Sequence, residues 1–209
     1  MNKIFIVTAL ALLHLPALSQ SCGDYPFFRN GKQFTFESTL LGKDTKITYQ
    51  TDSLTNDAGG LWVSIKFVGA SPALPDQMKK DFGSFLTRVG CKNGTIIFNF
   101  RANIGKGSYD IAYTFPAGMS VGQTLPDITV NIPSQNLSEV LHRKVLAYER
   151  VTTPGGAWSA YKIEETSDVT IGGKKSPYGN IVVDQWFVPG VGLVQSAING
   201  KINSTLYSL

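Results

Sequence analysis

The feature that most constrains this chain is an apolar period of two that runs through nearly all of it. Phe34 and Phe36 alternate with Thr35 and Glu37, and Ile47 and Tyr49 alternate with Lys46, Thr48 and Gln50. Val63, Ile65 and Phe67 share one side of their segment, with Ser64 and Lys66 on the other. The beat returns in Ile96/Phe98/Phe100, Tyr109/Ile111/Tyr113/Phe115, Ile128/Val130/Ile132, Tyr161/Ile163, Val183/Phe187 and Ile202/Leu206. Successive strand side chains point to opposite faces, so this pattern describes an antiparallel sheet with one apolar and one wet face. Helical segments do not alternate with the strands, which excludes a parallel α/β plan.

Turn chemistry separates the runs. Asn93-Gly94 and Asn199-Gly200 read as tight hairpins, because both central residues of such a turn need positive φ. Thr153-Pro154-Gly155-Gly156 joins two long runs, 140–152 and 157–171, and Pro189-Gly190-Val191-Gly192 splits 181–187 from 193–198. One segment breaks the beat. In 75–86, Met78, Phe82, Phe85 and Leu86 recur at helical spacing, with Lys79, Lys80 and Asp81 between them, behind Pro75 and Asp76. The expected fold is all-β: a curved antiparallel sheet or half-open β-barrel of about ten strands, with one short helix at its open side. The competing architecture is an eight-stranded outer-membrane barrel, whose apolar band would face outward between aromatic girdles.

Length and composition narrow the function. The 209 residues suit one ordinary domain, and 43% apolar against 16% charged residues excludes a disordered chain. Lys3 and the apolar run 4–15, followed by Ala17-Leu18-Ser19, have the form of a cleaved export signal. Residues 1–19 are therefore read as signal peptide and 20–209 as a single β-rich domain, secreted or periplasmic after cleavage near Ser19. Export exposes Cys22 and Cys91 to an oxidising compartment, and their even count favours a disulfide. Lipid attachment at Cys22 is the alternative, although Ser19-Gln20-Ser21 makes a poor lipobox. The net charge of +4 is scattered, so no nucleic-acid footprint is present.

No catalytic constellation assembles, and a non-enzyme without cofactor or metal is expected. The mature chain keeps one histidine, His142, and no Gly-x-Ser-x-Gly elbow accompanies it. Glu164 and Glu165 point to opposite faces of a strand, as do Glu165 and Asp168, so neither pair can straddle a glycosidic bond. They read as a solvated edge. Gly105-Lys106-Gly107-Ser108 and Gly172-Gly173-Lys174-Lys175 lack phosphate-loop spacing and read as hairpin tips. What remains is aromatic bulk, which is either solid core or the wall of an apolar pocket. The candidate ligand wall is Phe82, Phe85, Phe98, Phe100, Tyr113 and Trp186, for an acyl chain or other apolar small molecule on the concave face. The other partner expected is an envelope protein, for which Trp62 and Lys66 on the wet face of their strand offer a contact surface.

Five segments occur in order along the chain: Cys22-Gly-Asp-Tyr-Pro-Phe-Phe-Arg-Asn-Gly-Lys-Gln-Phe34, Gly90-Cys91-Lys-Asn-Gly94, Val121-Gly-Gln-Thr-Leu-Pro-Asp127, Glu149-Arg-Val-Thr-Thr-Pro-Gly-Gly-Ala-Trp-Ser-Ala-Tyr-Lys-Ile163 and Trp186-Phe-Val-Pro-Gly-Val-Gly-Leu-Val-Gln-Ser196. Together they resemble the TapB family of secreted Gram-negative envelope proteins, a domain of unknown function. The resemblance implies an exported, β-rich single domain with no established activity and no catalytic residues to carry over. Relatives often place a cysteine near the positions of Ser159 and Ala160; this chain has none there, so the resemblance implies no second disulfide.

Overall fold

The computed structural model describes residues 22–39, 44–57, 59–104, 107–176 and 181–209. The export signal with Ser19, and Gly105-Lys106, lie outside the described residues. Two short 3-10 turns, Cys22–Asp24 and Pro26–Phe28, precede the strands β1 (Gln33–Ser38), β2 (Thr45–Asp57) and β3 (Gly60–Ser71). A helix α1 (Asp76–Phe85) leads into β4 (Leu86–Lys92), β5 (Thr95–Ile104), β6 (Gly107–Phe115) and β7 (Thr124–Ile132). The long hairpin β8 (Leu137–Thr153) and β9 (Gly156–Ile171) follows. Then come the two-residue β10 (Lys174–Lys175), β11 (Val182–Val188), β12 (Gly192–Ile198) and β13 (Lys201–Ser208).

All pairings are antiparallel, in the order β6-β5-β4-β3-β2-β1-β13-β12-β11-β9-β8-β7, with β10 attached to β9. The two ends of this twelve-strand path, β6 and β7, lie against each other, which makes a nearly closed barrel. No backbone ladder joins them among the described residues. Side chains close the seam instead: Ile128, Val130 and Ile132 pack with Tyr109, Ile111 and Tyr113, and the Arg143 Nη1 donates to the Thr114 carbonyl at 2.9 Å.

The apolar beat faces inward. Ion pairs Lys66–Asp52, Arg101–Asp110 and Lys175–Asp168 hold exposed side chains, whereas Phe34, Tyr49, Phe98, Phe115 and Phe187 are buried. An outer-membrane barrel needs the reverse arrangement, an apolar band toward lipid. At the turns, Asn93-Gly94 and Asn199-Gly200 adopt positive φ at both positions, as their sequence demands. The strand count exceeds the expected ten mainly because β4 was hidden behind the helix. Its Val89-Gly90-Cys91 stretch is buried three in a row and breaks the alternation. The physical reason is local. The Trp62 indole covers the face of Gly90 where a side chain would stand, and Cys91 is bonded to Cys22.

Candidate functional site

The barrel has two differently closed ends, and β4 links them. At its first residue, Leu86, the strand leaves α1; five residues on, Cys91 holds the N-terminal turns through its bond to Cys22. Those turns plug the barrel: Tyr25, Phe27 and Phe28 are buried in the main core. Phe27 meets Phe34 and Phe98 edge-on at 5.0 and 5.7 Å. Phe27 also lies against Gly192, where φ is +108° and a Cβ would come within 2.5 Å of the ring. Glycine is required there on both counts. Below this level Phe115 and Phe187 stack at 4.4 Å.

Between plug and helix lies a cavity of about 350 Å³, the size of a small-molecule site. Its deep wall is Phe27, Phe34, Tyr49 and Phe98; toward the helix it is lined by Phe82, Phe85, Phe100, Ile111 and Tyr113. The helix supplies two of these side chains. Phe82 is half-buried against the core, whereas Phe85 is 45% exposed with its ring 5.0 Å from Phe100, as a residue at a mouth would be. Met78, on the same apolar stripe in sequence, is instead exposed.

Five of the six residues assigned to the ligand wall from sequence thus meet at one cavity, and Trp186 does not. Gln185 and Phe187 of β11 point inward, so the alternation sends Trp186 to the outer face. There its indole N–H donates to Glu149 Oε1 at 2.8 Å, and the Lys162 ammonium lies over its ring. Sequence reasoning missed Phe27, Phe34, Phe36 and Tyr49 as cavity residues. The signal was present in the alternation of β1 and β2, but nothing local says which part of an apolar face is left unfilled.

The solvated-edge reading of the acidic cluster needs correction at Glu165. Its carboxylate is buried opposite Arg143, in register on β8 and β9, with Nε and Oε2 3.7 Å apart. The Tyr113 hydroxyl donates to Glu165 Oε1 at 3.4 Å. Burial pushes the Glu165 carboxyl above its ordinary range and the Arg143 guanidinium below its own, while their mutual attraction opposes both shifts. Burial likewise raises the Tyr113 phenol. Asp168 stays exposed on the other face, as parity requires.

His142 is exposed, and both its ring nitrogens face carboxylates, Asp127 at 3.1 Å and Asp168 at 3.3 Å. The hydrogen bond with Asp127 raises its pKa most, with Asp168 adding to the effect. A serine general base needs Nε2 for the nucleophile; here Asp168 occupies it. Trp62 and Lys66 share the outer face of β3, where the part-exposed Trp62 indole lies on Gly90 under the Arg88 guanidinium, 3.9 Å from its ring. Among the described residues no group of three or more His, Cys, Asp or Glu could hold a metal, and no helix is long and apolar enough to cross a membrane.

The sequence matches one known family over residues 41–206, most of the sheet. The chain belongs to the DUF3108-like family. A search of curated proteins gives no match. Two crystal structures share the fold. One is a Bacteroides fragilis protein inferred to be exported, with a YmcC-like fold; it has 16% identity and a TM-score of 0.55, covering 86% of this chain and 95% of that one. The other is a Parabacteroides distasonis protein inferred to be a lipoprotein, with 15% identity and a TM-score of 0.56, covering 88% of this chain and 97% of its own. At that identity the likeness speaks for the fold alone. In this chain the disulfide occupies the Cys22 sulfur that a lipid thioether would need.

Proposed function

We propose that this member of the DUF3108-like family is a non-catalytic, extracytoplasmic protein that binds an apolar chain in the cavity between its N-terminal plug and α1. The observation that carries the reading is the cavity itself, about 350 Å³ walled by aromatics and open beside a helix. A barrel whose aromatics filled it would leave no such space. Burying a hydrocarbon tail there is favourable by about 0.8 kcal/mol per methylene. The disulfide suits an oxidising compartment, and the ordered sequence motifs make the chain TapB-like, exported after cleavage near Ser19.

A fluorescent fatty-acid titration tests this. Saturable binding in the micromolar range is expected, weakened at least fivefold by Phe82→Ser or Phe85→Ser in a protein whose circular dichroism is unchanged. Absence of binding by the folded wild type would leave the other reading, a structural or interaction component of the envelope with no ligand.

A further inference from the structure

One wall of the cavity is not apolar. In the strand register, Gln185 of β11 stands opposite Ser196 of β12, Ser196 opposite Ser204 of β13, Ser204 opposite Ser38 of β1, and Ser38 opposite Thr45 of β2. Residues opposite one another share a face. The face here is the inner one: Ser38 and Gln185 are buried, and the first four of the row all line the cavity. A band of hydroxyls and an amide therefore crosses four strands, with Gln195 and Asn203 beside it and the Ser196 hydroxyl donating to Asn203 Oδ1 at 2.9 Å.

The band also has a definite depth. Along β1 the inward residues run Phe34, Phe36, Ser38, from the plug toward the helix end. At about 3.3 Å per residue, Ser38 lies roughly 13 Å above Phe34. The band is thus at the level of the mouth, with aromatic wall beneath. Gln185, nine-tenths buried, has no hydrogen-bond partner for its Oε1 among the described residues. Such an acceptor costs stability until something donates to it. Among the described residues no charged side chain lines the cavity. An ionised headgroup entering it would lose its hydration without gaining a counter-charge.

We infer that the ligand of this cavity is an amphiphile whose acyl chain lies on the deep aromatic wall and whose uncharged, donor-bearing head, a hydroxyl or an amide N–H, sits on the Gln185–Ser196–Ser204–Ser38 band. The inference rests on the cavity being a binding site and goes on to name the head chemistry. Carboxylates and phosphates of the same chain length are held less well, because their charge must stay outside the mouth and their chain is drawn out of the deep pocket.

Displacement of a bound fluorescent acyl probe at pH 8 by 1-monolauroylglycerol and by laurate, each below its critical micelle concentration, tests it. Monolauroylglycerol should displace the probe at a concentration at least tenfold lower than laurate. Gln185→Leu should cut that ratio below threefold while the probe still binds; if that variant fails to fold, Ser204→Ala should lower the same ratio. Equal or better displacement by laurate, or a ratio unchanged in the folded variant, overturns the head-group assignment and leaves the cavity's binding role standing. A folded wild type that takes up no probe overturns both, and is recognised before any competitor is added.

Discussion

Arg143 has a fully buried side chain, and its charge meets the Thr114 carbonyl, the Glu165 carboxylate and the faces of the Tyr113 and Phe115 rings. Its Nε and Nη2 and the Glu165 Oε2 make no hydrogen bond, so the pair is held by attraction in a poorly hydrated space. Its value lies in position, because the guanidinium spans from β8 to β6 across a seam that has no backbone ladder among the described residues. Removing one partner leaves the other charged and buried. Arg143→Met is expected to lower unfolding stability by about 3–5 kcal/mol, and Arg143→Met with Glu165→Met to recover most of that loss. The sign with pH follows from the remaining carboxyl. A carboxyl held above its ordinary pKa favours the folded state in its protonated form. The single variant's deficit should therefore be small near pH 4 and grow as pH rises from about 4.3 toward the folded value. Guanidinium unfolding at several pH values measures it, and a pH-independent deficit would contradict the assignment.

The histidine couples three strands. His142 on β8 reaches Asp127 of β7 and Asp168 of β9, and Lys175 of β10 donates to the same Asp168 at 3.0 Å. These groups are solvent-exposed, so the effect is modest and screened by salt. Its direction is set by the raised histidine pKa. A histidine whose pKa rises on folding contributes stability that is fully present below its unfolded value of about 6.5 and is lost as pH climbs through the folded value. The melting temperature in low salt should fall across this range in the wild type and fall less in His142→Gln. An identical slope in both would remove His142 from the pH response.

At the scale of the whole molecule, the barrel is finished by parts that are not strands. The Cys22–Cys91 bond spans 69 residues and fastens the plug to the far end of the strand that begins at α1. In the chain-entropy view a loop of that length contributes roughly 4 kcal/mol. Cys22→Ser with Cys91→Ser should lose a comparable amount in guanidinium unfolding, and the intact wild type should gain 2 Da on full reduction. A wild type already at the reduced mass would refute the pairing. Because Phe27 forms part of the deep cavity wall, the same double variant should also bind the acyl probe more weakly. Plug and pocket then stand or fall together.

Much of this was legible in the chain. The period-two beat specified half-buried antiparallel strands, the Asn-Gly pairs specified two hairpins, and the spacing of Phe82 and Phe85 specified the helix, although Leu86, read as its last turn, begins β4. Each rests on chemistry within a few residues, which is why sequence suffices. Parity alone separates Glu165 from Asp168. Closure was another matter. That β6 meets β7, that Glu165 buries against Arg143, that Trp186 turns outward to Glu149, and that Gln185 joins three serines in one band depend on registers among strands as far apart in sequence as β1 and β13. Alternation says which residues share a face. Only the packed barrel decides how much of that face the side chains fill and where they leave room.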